Sequence, residues 1–229
     1  MTILIVLSSC GRVPGTERNT GTWYEELAAP YYIFKDAGHI VTIVSPAGSK
    51  APIDPWSEIE QAQTDATRRF SADDEAQAAL AGTTALSTIA ADGFDAIFYS
   101  GGLGPVFDLT DDKTSIALIE QFARSRKPIA AVCHGVAALR QAKGSDGRAI
   151  VAGRSVTGFS NSEERAAHGV DVVPFLIEDE LRRLGGNYTS AIDWHPHVVV
   201  DGLLITGQNP SSSEMAARKV LEALNDKAE

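Results

Sequence analysis

Apolar residues along this chain gather in short runs that alternate with amphipathic stretches. Ile3–Ser8 and His39–Ser45 are β-branched runs of strand length, with a helical pattern of about fifteen residues between them. Gly38 stands where a helix C-cap glycine belongs, just before the second run. Asp95–Tyr99 and Pro128–Val132 are near-continuous apolar runs, separated by a helical pattern from Lys113 to Ser125. Strands that are apolar throughout and alternate with helices belong to a parallel sheet covered on both faces. Near the end, Val198–Val200 and Leu203–Thr206 flank Asp201-Gly202, which predicts a two-residue hairpin. Ser211–Ser213 then predicts the cap of a closing helix that runs through Leu224. The expected fold is a three-layer α/β/α sandwich around a mostly parallel, flavodoxin-like doubly wound sheet. No linker or repeat divides the chain, so residues 1–229 are expected to form a single domain.

Composition narrows the function classes. The 20 Lys and Arg against 30 Asp and Glu leave a formal charge of −10, and the basic residues are scattered. Such a surface repels phosphate backbones, so no nucleic-acid partner is expected. No apolar run reaches the roughly 18 residues of a membrane span, so no membrane partner is expected either. The apolar stretch Ile3–Leu7 has no cationic residues before it and no cleavage-type small residues after it; it predicts a buried strand rather than a signal peptide. The two cysteines, Cys10 and Cys133, lie far apart, which excludes a disulfide framework and suits a reducing cytoplasm.

Ligands of such sheets sit outside the carboxyl ends of the strands. Three segments leave strand ends there: Ser8–Arg12, Ser100–Pro105 and Cys133–Gly135. The strongest signal is Pro128-Ile-Ala-Ala-Val-Cys133-His134-Gly135, in which small residues flank the cysteine two positions to either side. That is the spacing of a nucleophile elbow, where a tight strand-to-helix turn holds its central residue in a strained conformation. A helix N-terminus beside Cys133 would favour its thiolate. Cys10 has neither the spacing nor an adjacent base, and is expected to be incidental. Ser100-Gly-Gly-Leu-Gly-Pro105 is neither a phosphate loop nor a dinucleotide fingerprint, and remains a candidate oxyanion hole. Glu25 and Glu26 precede Pro30, which cannot donate to the carbonyl of residue 26, so a helix starts or kinks there. A carboxylate at that break is either a desolvated proton shuttle or a helix-start acid favoured by the dipole. His195-Pro196-His197 has no third ligand at a metal-binding spacing, so no metal is expected; Trp194 and His195 are candidate pocket residues.

These motifs, spread from Ile3 to about Leu224, resemble the ThiJ/PfpI family, the cysteine branch of the class I glutamine-amidotransferase-like fold. Within it the chain is similar to the heat-shock-chaperone-type, glutathione-independent glyoxalase III branch. The resemblance rests on Gly21–Pro30, Phe34–Pro46 with Pro52-Ile-Asp-Pro55, Gly101–Leu109, Ala130–Leu139, Val156–Glu164, Asp171–Glu180 and Gly207–Pro210. It implies Cys133 as nucleophile, His134 as its partner, and Glu26 rather than Glu25 as the acid that contacts the cysteine. It further implies an acid behind His134 after Thr157-Gly158-Phe159, for which Glu164 is favoured over Glu163. Gly102 falls at the oxyanion-hole position. Leu103 stands where relatives often carry histidine, a departure that bears on substrate preference. The implied activity is cofactor-free conversion of methylglyoxal and related 2-oxoaldehydes to 2-hydroxy acids by a cytoplasmic homodimer. The alternatives are a cysteine hydrolase (deglycase, amidase or peptidase) and a chaperone or redox-stress sensor.

Overall fold

The computed structural model describes residues 1–226. The chain begins with β1 (Thr2–Val6), α1 (Tyr24–Asp36) and β2 (Ile40–Ser45), and an irregular segment with two short 3-10 turns then leads to α2 (Asp65–Ala72), α3 (Asp74–Ala81) and β3 (Thr84–Ala85). Next come β4 (Ala96–Tyr99), α4 (Pro105–Asp108), α5 (Lys113–Arg124) and β5 (Ile129–Val132). The second half contains β6 (Ser155–Val156), α6 (Asn161–Ala166), α7 (Ile177–Arg183), β7 (Asn187–Tyr188), β8 (Val198–Asp201), β9 (Leu204–Gly207) and α8 (Ser213–Asn225).

Seven strands form the main sheet in the order β3-β2-β1-β4-β5-β9-β8. Only the β8–β9 pair in it is antiparallel. The strand order reverses between β1 and β4, which is the switch point where doubly wound sheets open a crevice. The period-2 alternation of each strand sorts its side chains between two cores. Leu4, Val6, Ile97, Tyr99, Ile129 and Ala131 pack on the side of α5 and the segment after β5. Ile3, Ile5, Phe98, Ala130 and Val132 pack against α1 and α8. The expected three-layer sandwich is the fold observed.

Three local expectations shift. The hairpin closes one residue later than the Asp201-Gly202 reading, because Asp201 still pairs with Leu204 and the two turn residues are Gly202 and Leu203. The serine cluster does not cap α8 through a side chain. Instead Asn209 caps a 3-10 turn over Pro210–Ser212 that feeds the helix, with Ser212 Oγ donating to Asn209 Oδ1. Helix α1 does not start at Pro30 but runs through it from Tyr24 to Asp36. The carbonyl of Glu26, left without its N–H donor, accepts from Ser100 Oγ at 2.8 Å. The proline therefore opens a link between α1 and the turn after β4, and that link ties Glu26 to the Ser100–Gly101 turn.

Candidate active site

Strand β5 ends at Val132, and the next residue, Cys133, has a φ of +55°. A left-handed non-glycine residue is strained, and such strain persists only where surrounding packing enforces it. The turn projects Cys133 toward the crevice while keeping the residue 3% exposed. From there the chain runs on as a seven-residue 3-10 segment, Cys133–Leu139, rather than the expected α-helix. Small residues are needed on both sides, since a side chain at Gly135 would press against the carbonyls of Tyr99 and Ser100.

His134 Nδ1 lies 3.5 Å from Cys133 Sγ, and its Nε2 lies 2.7 Å from Glu164 Oε2. A carboxylate only accepts, so this contact assigns the proton to Nε2 and leaves the Nδ1 lone pair facing the thiol. Glu164, the first turn of α6 and Ser160 belong to one capped helix start. Neighbouring Glu163 points about 100° away around that helix. It is fully buried and meets a different set of donors: Ser160 N–H and Oγ, Trp194 N–H at 2.8 Å and Asn209 Nδ2 at 2.8 Å. Thus the structure pairs Glu164 with His134, while Glu163 ties together α6, the Trp194 turn and the loop before α8. Trp194 itself has φ of +65°, so its N–H bond to Glu163 helps hold a strained turn. The spacing of sequence motifs carried no sign of this second role.

Glu26 approaches the cysteine from the opposite side. It is fully buried, and its Oε2 accepts the Gly101 N–H at 2.7 Å. Its Oε1 is buried with no hydrogen-bond partner, and the carboxyl adjoins the Cys133 thiol. Burial pushes this carboxyl up to about 8, against the opposing pull of Cys133 and the Gly101 N–H. The crowding demands glycine at 101, where a Cβ would stand 2.5 Å from Glu26 Oε2 and 2.8 Å from Cys133 Cβ. Gly101 N–H is thereby committed to the carboxyl. Gly102, with φ of +86°, instead offers its N–H to the sulfur.

The balance on the sulfur differs from the expected activated thiolate. Burial raises the Cys133 thiol well above its ordinary value, and the adjacent Glu26 raises it further. The His134 and Gly102 N–H groups pull it back. With Glu26 also raised, both the carboxyl and the thiol favour their protonated forms near neutrality. Cys10 lies on the loop after β1, where burial also raises its thiol and Sγ donates to the Arg12 carbonyl. It does not line the main cleft.

That cleft has a volume of about 540 Å³. Cys133, His134, Gly102, Leu103, Glu164 and Trp194 all line it. Glu26 is fully buried and is not among its lining residues, whereas Glu25 lines it and accepts from the Thr64 hydroxyl at 2.5 Å. His195 departs from expectation: it is exposed outside the cleft, with Nδ1 directed at the Asp193 carbonyl. The turn places adjacent residues 194 and 195 on different sides, which spacing alone cannot resolve. Phe159 bridges His134 to the rim, with ring centroids 4.3 Å from His134 and 5.8 Å from Trp194. Trp56 and Ile59, from the irregular segment after β2, form the facing wall. That segment lacks periodicity, and the sequence offered no signal for its part in the cleft. No three His, Cys, Asp or Glu side chains converge as a metal-ligand group among the described residues.

A doubly wound sheet with a cysteine elbow at its carboxyl edge, flanked by a His–Glu pair and a buried glutamate, defines a cysteine-centred α/β class. The chain belongs to the DJ-1/PfpI family, whose model matches residues 20–223. It is 28% identical over 239 residues to glutathione-independent glyoxalase HSP31 of Saccharomyces cerevisiae, covering 98% of each chain. Rapid Encystment Protein 24 KDa of Francisella tularensis superposes with a TM-score of 0.93 and 34% identity, over 97% of this chain and 98% of that one. Glyoxalase III from Candida albicans shares the fold, with a TM-score of 0.90 at 22% identity over 97% of each chain. No described helix is long and apolar enough to cross a membrane.

Proposed function

We propose that this protein is a glutathione-independent glyoxalase that isomerises methylglyoxal and related 2-oxoaldehydes to 2-hydroxy acids through Cys133. The observation that carries this reading is the placement of one sulfur between two proton-transfer groups. His134 Nδ1 lies 3.5 Å from it, and the buried Glu26 carboxyl adjoins it. The full-length similarity to yeast glutathione-independent glyoxalase supports it.

In the proposed reaction His134 takes the thiol proton as Sγ bonds to the aldehyde carbon, and returns it to the aldehyde oxygen. The product of that step is a hemithioacetal. Glu26 in its ionised form then removes the C1 hydrogen as a proton and the electron pair moves toward C2, giving an enediol. Protonation at C2 leaves a thioester, so the aldehyde carbon is oxidised and the ketone carbon reduced with no external electron carrier. Water cleaves the C–S bond, releasing the 2-hydroxy acid and restoring the thiol. A carboxyl with a value near 8 suits a group that must both take and give a proton around neutrality. Glu164 keeps His134 in the tautomer that can act on sulfur.

The Cys133–His134–Glu164 arrangement also has the parts of a cysteine acyl-transfer site, which favours hydrolysis of an amide or adduct as the second reading. The deciding experiment is an end-point assay for lactate from methylglyoxal without glutathione, beside a panel of amides. Lactate formation that disappears in Cys133→Ala supports the glyoxalase; amide cleavage without lactate overturns it. The homodimer and cytoplasmic location stay with this proposal, and sedimentation and fractionation test them. Chaperone action would survive Cys133→Ala.

A further inference from the structure

The cleft is much larger than a three-carbon aldehyde needs. Pockets of about 300–1,000 Å³ accommodate drug-sized ligands, and this one reaches about 540 Å³. Its outer walls carry Trp56 and Trp194, 63% and 47% exposed, which would be covered by a longer substrate.

Arg18 also lines the cleft, from the loop after β1, and is the one Lys or Arg lining it among the described residues. Its Nε is buried and has no acceptor. Buried donors are almost always satisfied, and an orphan in a binding cleft marks a place for an acceptor from outside the chain. The acids of the same cleft are already engaged. Asp54 Oδ1 accepts from the Trp56 N–H and Oδ2 from the Thr20 hydroxyl. Glu25 accepts from Thr64, and Glu164 is held by His134. Arg18 Nε is thereby left as an open buried donor, and the planar fork of its guanidinium fits a carboxylate.

We propose that the preferred substrate is a 2-oxoaldehyde bearing a carboxylate remote from the reacting carbonyl, and that Arg18 binds that carboxylate while Cys133 attacks the aldehyde. This rests on the glyoxalase reading and narrows its substrate class. It also separates the chain's selectivity from its chemistry, since Arg18 touches only the substrate's far end.

The test compares 4,5-dioxopentanoate with its methyl ester, and 4-carboxyphenylglyoxal with its methyl ester, as initial-rate kcat/KM values. Wild type, Arg18→Gln and Arg18→Lys are measured, with methylglyoxal run alongside. The readout is the acid-to-ester ratio within each variant, which is insensitive to losses of folded enzyme. Wild type is expected to favour the acid of at least one pair about 10-fold, the scale of one charge-assisted hydrogen bond. Arg18→Gln should bring the ratio near one, and Arg18→Lys should restore part of it. An acid preference absent from wild type, or undiminished in Arg18→Gln, overturns the proposal. Absence of methylglyoxal turnover in wild type would instead strike the glyoxalase reading. In that event calorimetric titration with 2-hydroxyglutarate and its 5-methyl ester still decides the Arg18 site: binding of the acid that weakens about 10-fold in Arg18→Gln upholds it, and equal binding overturns it.

Discussion

Replacing Glu26 by Gln should cost activity and yield stability, and the two effects have one cause. Glu26 is fully buried and its carboxyl is raised from 4.5 to about 8. Between those values the folded state holds a proton that the unfolded chain releases. Because the folded state binds more protons, unfolding free energy falls as pH rises through this window, by about 1.4 kcal/mol per pH unit. By pH 7 the accumulated penalty is about 3 kcal/mol, an upper figure for a group that titrates next to Cys133. Gln cannot ionise. Its oxygen can keep the Gly101 N–H bond, and its NH₂ can take the place of the unpartnered Oε1. The variant should therefore match wild type near pH 5 and exceed it by about 3 kcal/mol at pH 7. Urea unfolding at pH 5.5, 6.5 and 7.5 measures this, provided the two proteins share an m-value. Other titrating groups, including the raised Glu25, are common to both proteins and cancel in the difference. Methylglyoxal turnover should drop by roughly 10²-fold or more, the usual contribution of a general acid–base group. Parallel pH profiles for the two proteins, or a variant less stable at every pH, would refute the account of a desolvated, proton-carrying glutamate.

Cys133→Ala should abolish lactate formation with the fold retained by circular dichroism, whereas Cys10→Ala should keep most activity; equal losses would undo the single-nucleophile assignment. Glu164→Gln should reduce kcat by roughly 10²-fold through the wrong histidine tautomer, and near-normal rates would remove Glu164 from the mechanism. Glu163→Ala leaves the donors of Trp194, Asn209 and Ser160 without their buried acceptor, so it should lower stability by about 2–4 kcal/mol in urea unfolding. Ser100→Ala should cost about 1–3 kcal/mol by orphaning the Glu26 carbonyl, and Pro30→Ala in that background should recover part of it by restoring the helical N–H. Failure of that rescue would show that the proline and serine are not linked.

Much of this molecule follows from local pattern. The strands β1, β2, β4 and β5 were legible because a strand covered on both faces must be apolar at successive positions. Their alternation with helices then forces parallel pairing, and the rule for parallel sheets directs attention to their carboxyl ends. The Ala131–Cys133–Gly135 spacing identified the elbow because only small neighbours permit that turn. Gly21 and Pro30 framed the glutamate, and the family resemblance supplied the choice between Glu25 and Glu26.

Other features arise only when remote segments meet. Whether Glu163 or Glu164 reaches His134 depends on the rotation of α6 against the elbow, thirty residues away in sequence, and adjacent helical positions differ by about 100°. Trp194 and His195 part company for a similar reason, at a left-handed turn held by a buried glutamate. The proton affinity of Glu26 is a property of its enclosure by Gly101, Cys133 and the Glu26–Ser100 link, because desolvation depends on everything packed around a charge. The sequence by itself determined the layers, the sheet and the cysteine elbow, since these rest on periodicity and turn sterics. Tertiary structure decided which acid serves the histidine, how strongly the carboxyl and thiol hold their protons, and that Arg18 stands open in the cleft, because contact and burial are made between distant parts of the chain.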